Sequence, residues 1–246
     1  MGNVTLSIVP GFRVLPAVGA LVLAGIHLVA AQFDTGNGCP RRVLSLAGGV
    51  SVAYVFVHVL PSFHVAGETF VGPALPADVP VDVSYFVALV GFTTYYGLEQ
   101  SVTESGKSGS QPSDGVFGVH LLSFAAYNAL FGYLLALRET AEWVTLGLFV
   151  FTIGLHLLVV DYGMVRHHAD RYRVRGQWVL AAAMVVGAGL GFLTGIHPVI
   201  VDGFTAFLGG AIVFNSIKEE LPTRSETSFR TFAVSATAYA ALLVVI

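Results

Sequence analysis

Two residues with metal-ligand chemistry, His156 and Asp161, lie within one long apolar segment of the chain. Imidazole and carboxylate groups suit a borderline divalent cation such as Zn²⁺. Their spacing of five residues places the two side chains about 140° apart on a regular helix. A shared ion would therefore need further ligands from other segments.

Three more polar residues in apolar surroundings, Asn128, His58 and His120, are candidate ligands. Ionisable groups in a bilayer are costly and usually face a cavity or a partner. His120 and Asn128 are eight residues apart, which places them on one helix face about 12 Å from each other. They can line one pathway, but they cannot bind the same ion.

Other polar residues in or beside these segments have a structural interpretation. A neutral histidine can hydrogen-bond to a neighbouring helix, a contact worth about 0.6 kcal/mol, and we favour that role for His27. Glu99 and residues 218–220 end apolar segments, so we interpret them as solvated helix ends. Residues 167–170 (HHAD) suggest metal chemistry, but they lie in a basic stretch, which we interpret as a hydrated interfacial segment.

The elements that must position these residues are apolar segments long enough to cross a bilayer. Of the 246 residues, 55% are hydrophobic and 11% are charged, and the mean hydropathy is +0.77. Soluble domains carry about 25% charged residues, and a soluble fold of this size could not hide so much apolar surface from water. The composition predicts an all-α membrane protein.

Eight segments approach the length of about 20 residues that a membrane helix needs. They are residues 14–33, 43–63, 83–99, 115–137, 143–165, 178–196, 199–217 and 229–246. We expect one bundle over residues 1–246, since no long polar stretch separates two halves. Pro198 separates the sixth segment from the seventh, because proline disfavours helix in the residue before it. Reading those two as one kinked helix would give seven spans.

The first segment has an alternative interpretation as a secretory signal. It follows Arg13 and ends near residues 29–31 (VAA), which is compatible with a cleavage site. The apolar stretch is long for a signal peptide, so we interpret it as the first span.

The distribution of basic residues predicts the orientation. Lys and Arg are retained in cytoplasmic loops. One set of loops carries Arg41, Arg42, Lys107, Arg166, Arg171, Arg173, Arg175, Lys218, Arg224 and Arg230, and the other carries only Arg13 and Arg138. Ten against two predicts that both termini are extracellular. The same asymmetry supports an even number of spans.

Composition also indicates the setting of the protein. Arg supplies ten of the twelve basic residues, and Val, Ala and Gly are abundant, which indicates a GC-rich genome. We expect the plasma membrane of a prokaryote. The run from Arg166 to Arg175 is placed to contact anionic lipid headgroups. No soluble catalytic motif, phosphate loop or nucleic-acid surface is present, so we expect neither an enzyme nor a nucleic-acid partner.

Three segments of the chain resemble the ZIP family of divalent-metal transporters. Residues 47–61 (AGGVSVAYVFVHVLP) resemble the family's AGG…FLHLLP pattern, and residues 89–99 (LVGFTTYYGLE) resemble its LLGF…LLE span. Residues 204–222 (FTAFLGGAIVFNSIKEELP) resemble its late F.aGtflY…ELP span. The resemblance implies an eight-helix bundle with both termini outside and a metal site in the fourth and fifth spans.

The chain departs from the family at the residues that would bind the metal. Where ZIP proteins have H-N-x-x-D-G in the fourth span, residues 127–132 read YNALFG. Where they have H-E-x-x-H-E or H-K-x-P-E-G in the fifth, residues 156–161 read HLLVVD. The histidine-rich loop is reduced to residues 107–112 (KSGSQP). The resemblance then implies one weaker site, built from His156, Asp161 and Asn128 together with His58 or His120.

Two functions follow from this resemblance. The first is transport of Zn²⁺, Mn²⁺ or Fe²⁺ through the reduced site, with the four glycines of the sixth segment allowing sliding contacts: Gly187, Gly189, Gly191 and Gly195. The alternative is a non-transporting ZIP-like sensor, regulator or partner subunit, and a homodimer is compatible with either. A b-type haem protein or an intramembrane metallohydrolase ranks lower, since neither a histidine pair at haem spacing nor H-E-x-x-H occurs.

Overall fold

The structure is a computed structural model that describes residues 11–32, 41–70, 82–106, 114–138, 143–220 and 228–245. Almost all of these residues are helical, and no strand occurs among them. The predicted all-α class is therefore confirmed for this part of the chain.

The helices lie where the apolar segments predict them. Their bounds are α1 Gly11–Ala30, α2 Arg41–Tyr54, α3 Leu60–Phe70, α4 Val83–Gly106, α5 Asp114–Ala136, α6 Trp143–Arg171, α7 Gln177–Leu193, α8 Pro198–Asn215 and α9 Phe229–Val245. A π-helical turn, Val55–Val59, joins α2 to α3 without a break, and together they match the second predicted segment. Each of the other seven predicted segments matches one of the remaining α-helices. A second π-helical turn, Ser216–Glu220, extends α8.

The connection between α6 and α7 differs from the expectation of a polar loop. Arg166 to Arg175 are helical except at His168, where φ is −142° and ψ is 35°. The π-helical turn Tyr172–Gly176 then leads directly into α7. His168 is also buried against Phe117, with 5.0 Å between ring centroids, so its side chain is not hydrated as we expected. The basic residues of this stretch therefore lie on helical backbone and not in a loop.

Five of the described helical runs are long and apolar enough to cross a membrane. They cover residues 42–68, 115–136, 143–166, 172–193 and 198–218. Residues Val14–Ala30 and Phe229–Val245 form shorter apolar helices. α4 has the length, but Thr93, Thr94 and Glu99 lower its hydropathy. The predicted membrane protein with transmembrane helices agrees with these lengths and compositions.

The outside of the bundle is apolar, unlike that of a soluble protein, and the largely apolar interior holds a few buried polar groups. Large apolar side chains such as Leu122 (71% exposed) and Phe56 (66% exposed) cover the outside. His27, Asn128 and Asp161 are at most 1% exposed and lie inside the bundle. A bilayer solvates the first group directly, whereas the second must find partners within the protein.

Glycines allow three helix pairs to approach closely. A methyl group on Gly187 of α7 would overlap the backbone oxygen of Ala129 on α5. Gly91 of α4 and Gly210 of α8 lie equally close to backbone of the facing helix, and Gly49 of α2 lies against α9. Small residues commonly line such contacts in membrane bundles. Four glycines were expected to permit sliding. Of these, Gly187 and Gly191 lie in the α5–α7 contact, whereas a methyl group added to Gly189 or Gly195 would have no atom of a neighbouring helix within 4 Å.

Helix ends that the basic-residue count places on one side also meet in the structure. The Arg173 guanidinium donates from Nε to the backbone oxygen of Ala31 at 3.1 Å. Lys218 Nζ lies 2.5 Å from Glu99 Oε2. The expectation that Glu99 is a solvated helix end is wrong, because α4 continues to Gly106 and the carboxylate is paired and largely buried. These contacts join the predicted inner ends of four helices, which accords with alternating helix directions.

Candidate functional site

The centre of the bundle contains a polar cluster built around His27 of α1. The ring Nδ1 lies 2.6 Å from Asp161 Oδ2 on α6, and the ring Nε2 lies 2.9 Å from Asn128 Oδ1 on α5. We call these three residues the His27 triad. Each is at most 1% exposed, so three helices meet through side chains that water does not reach.

The orientation of the Asn128 amide determines where the protons of the triad lie. Its Nδ2 donates to the backbone oxygen of Phe124 at 2.9 Å, which turns Oδ1 towards His27. Nε2 of the ring must then donate, because Oδ1 is only an acceptor. On the other side of the ring, Nδ1 and Asp161 Oδ2 share one further proton across 2.6 Å.

The shared proton makes the triad electrically neutral. Whether it resides on the imidazole or on the carboxylate, the charges of His27 and Asp161 sum to zero. Neutrality matters here because an uncompensated charge in a low-dielectric interior costs several kcal/mol. Loss of this proton would leave one negative charge, so the triad has a place for one cation.

One oxygen of Asp161 retains unused bonding capacity. Oδ1 is buried and has no hydrogen-bond partner among the described residues. The Tyr172 hydroxyl, which donates to the backbone oxygen of His27 at 3.4 Å, is also placed to hydrogen-bond to this carboxylate. Buried polar atoms are nearly always satisfied, so either a small movement of this hydroxyl or a bound ligand would complete the bonding of Oδ1.

His156 lies apart from Asp161, as their helical spacing requires. Its Nε2 lies 2.7 Å from the Tyr127 hydroxyl, and Phe131 packs against its ring with centroids 6.5 Å apart. The structure therefore brings together Asp161 and Asn128 of the predicted set, but His27 occupies the place that we expected His156 to take.

The two remaining candidates lie in other parts of the bundle. His58 stacks on Tyr54, with ring centroids 5.0 Å apart. His120 lies near Glu99, with 4.0 Å between Nε2 and Oε2, and beside His168, with ring centroids 5.9 Å apart. The contacts described for these two histidines are with residues outside the His27 triad, so the structure does not bring them together with Asp161.

The donor set limits what the cluster can bind. Within the described residues, no three His, Cys, Asp or Glu side chains converge as a metal-binding group. A position between His27 and Asp161 has one imidazole nitrogen and one carboxylate, because the Asn128 oxygen lies on the other side of the ring. This is a weaker set than three charged or imidazole ligands. Oxygen and nitrogen ligands of this kind suit Mn²⁺, Fe²⁺ or Zn²⁺ in an exchangeable site.

Sequence reasoning underestimated His27. Considered in its own helix it is a lone histidine among apolar residues, which is usually a packing contact. The available signal was the shortage of partners for Asp161, since a buried carboxylate requires a counter-charge or a proton. His27 is one of the few residues in the apolar segments able to supply either.

A comparison of the chain with models of known protein families and with curated proteins found no match.

Proposed function

We propose that this protein is a ZIP-like integral membrane carrier that exchanges a divalent cation for a proton at the His27 triad. The observation that carries the proposal is the fully buried pair of His27 and Asp161, 2.6 Å apart, in which Oδ1 of the carboxylate has no hydrogen bond to the described residues. The two proposed states of the site are a neutral protonated form and a cation-bound form with a net charge of +1.

The proton and the cation would compete for the same lone pairs. When the shared proton leaves, Asp161 offers its carboxylate oxygens and His27 offers Nδ1, the unprotonated imidazole nitrogen that a metal requires. Asn128 Oδ1 continues to accept from Nε2 on the other side of the ring and so fixes this tautomer. The cation would thus replace the proton between His27 and Asp161, and the proton would return when the cation departs.

The two ligands come from different helices, His27 from α1 and Asp161 from α6, so relative motion of these helices would open the site. Secondary transporters commonly rock one group of helices against another around a site near the middle of the membrane. The proposal places all eight helical runs across the plasma membrane of a prokaryote, with both termini extracellular, as the basic residues indicate.

The proposal predicts metal uptake that depends on Asp161 and His27. In proteoliposomes containing a trapped pH indicator, Mn²⁺, Fe²⁺ or Zn²⁺ is expected to enter, and the lumen is expected to become alkaline. Asp161→Asn removes the charge that attracts the cation, so uptake is expected to fall at least tenfold. His27→Gln is expected to reduce both uptake and the accompanying alkalinisation.

His156→Ala is the matched control, because His156 is equally buried but lies outside the triad. The rate of metal uptake by His156→Ala protein is expected to stay within about threefold of the wild-type rate. Uptake that persists in folded Asp161→Asn protein would exclude the triad as the cation site.

The alternative of a non-transporting ZIP-like sensor, regulator or partner subunit has one supporting observation. The Tyr127 hydroxyl occupies the nitrogen of His156 that a metal would use, at 2.7 Å. Uptake of Mn²⁺, Fe²⁺ and Zn²⁺ into proteoliposomes with wild-type protein distinguishes the two functions. If none of the three ions enters faster than it enters protein-free liposomes, the non-transporting alternative replaces the carrier.

A further inference from the structure

A cavity lies between α2, α3, α5, α6 and α8, and it is separate from the His27 triad. Its volume is about 310 Å³, and none of its lining residues belongs to the triad. Ligand cavities range from about 300 to 1,000 Å³, so this one suits a small ligand.

Arg138 is the one permanently charged side chain among the described residues that line the cavity. Its guanidinium lies over the ring of Phe149 at 4.1 Å from the centroid, and it also lies beside the Tyr54 hydroxyl. No carboxylate in the described ranges forms an ion pair with it. A partly buried guanidinium held by a ring and a hydroxyl retains donors for an anion.

The rest of the lining contains both polar and apolar side chains. Tyr54, His58 and Ser62 are polar groups on α2, on the following π-helical turn and on α3. The remaining surface is largely aliphatic and aromatic, and it includes Leu134 and Ile153. The cavity therefore combines one cation and hydrogen-bonding groups with apolar surface, a combination that suits an amphipathic molecule.

We propose that this cavity binds a small amphipathic carboxylate, with the carboxylate on Arg138 and the apolar body against the aliphatic wall. A monoanion cancels the single charge of Arg138, whereas a phosphate dianion would leave a negative charge with no partner in an apolar site. The planar guanidinium matches a carboxylate in two parallel hydrogen bonds. This inference does not depend on the proposed function, because it uses none of the triad residues.

Binding of radiolabelled octanoate to the protein in nanodiscs tests the proposal. After subtraction of binding to empty nanodiscs, wild-type protein is expected to bind octanoate saturably at one site. Arg138→Gln is expected to weaken binding by about tenfold or more, since hydrogen bonds to a charged group are the stronger kind. Arg138→Lys keeps the charge but lacks the paired donors of a guanidinium. Its affinity for octanoate is therefore expected to lie between that of the wild type and that of Arg138→Gln.

Arg175→Gln is the matched control, because Arg175 is exposed and lies in the turn before α7. Its affinity for octanoate is expected to equal that of the wild type. Competition in the wild-type protein gives a readout that needs no variant: octanoate is expected to displace the label, whereas octanol and octyl phosphate displace it at least tenfold less well.

Three results would overturn the proposal. One is the absence of saturable binding to the wild type. Another is an unchanged affinity in Arg138→Gln protein that unfolds at the wild-type temperature. The third is displacement by octanol as effective as that by octanoate, which would mean that the apolar wall alone holds the ligand.

Discussion

Replacing His27 with leucine is expected to lower the free energy of unfolding by about 3–5 kcal/mol, which is the usual cost of leaving one member of a buried charged pair without its partner. Asp161 would lose the nitrogen 2.6 Å from its Oδ2, and Asn128 would lose its ring donor. The double variant, His27→Leu with Asp161→Leu, removes both charges and is expected to recover most of the loss. Unfolding of the purified protein in mixed micelles, measured by helical circular dichroism, provides the four values of the cycle.

His156→Leu is the matched comparison for this cycle. It removes a buried imidazole whose described side-chain hydrogen bond goes to the neutral hydroxyl of Tyr127. The expected loss is about 1–2 kcal/mol, the usual effect of one neutral hydrogen bond. If His27→Leu costs no more than His156→Leu, or if the double variant is the sum of the two single losses, His27 and Asp161 do not act as a charged pair.

The second large effect is a lower free energy of unfolding, expected when Gly187 is replaced. Gly187→Ala would drive a methyl group into the backbone oxygen of Ala129, so α5 and α7 must separate. Overpacking of this kind costs about 1–3 kcal/mol. Backbone cannot move aside as a flexible side chain can, so we expect a value at the upper end, measured by the same unfolding assay.

Gly189→Ala is the control for this substitution. Gly189 lies two residues away in the same helix, but no neighbouring atom lies within 4 Å of an added methyl group. Alanine has the higher helix propensity, so Gly189→Ala is expected to be neutral or to stabilise by up to about 1 kcal/mol. Equal losses for the two variants would show that helix propensity, not the α5–α7 contact, sets the response.

The helices were predictable from the sequence because each is specified locally. An apolar run long enough to cross a bilayer is favourable only as a continuous helix. Pro198, which separates the sixth and seventh apolar segments in the sequence, is the first residue of α8 in the structure. The stretch from Arg166 to Arg175 was predicted wrongly because its charge suggested a loop. Helical backbone tolerates arginine wherever the side chain reaches a partner, as Arg173 reaches Ala31.

The His27 triad was only partly predictable because it depends on contacts between distant parts of the chain. Asn128 and Asp161 could be selected by residue type, but the sequence does not state which helix lies against them. Helical periodicity correctly separated His156 from Asp161. The Arg138 cavity was not anticipated, since it depends on the packing of α3 and α8 around the end of α5.

The neutrality of the protonated His27 triad has an energetic consequence for the transport that we propose. If one proton leaves as one divalent ion enters, each cycle moves one net positive charge across the membrane. Such a cycle is electrogenic, and an inside-negative voltage of 100 mV would contribute about 2.3 kcal/mol towards accumulation of the ion. A potassium diffusion potential imposed with valinomycin should therefore change the rate of uptake, accelerating it when the lumen is negative and slowing it when the lumen is positive.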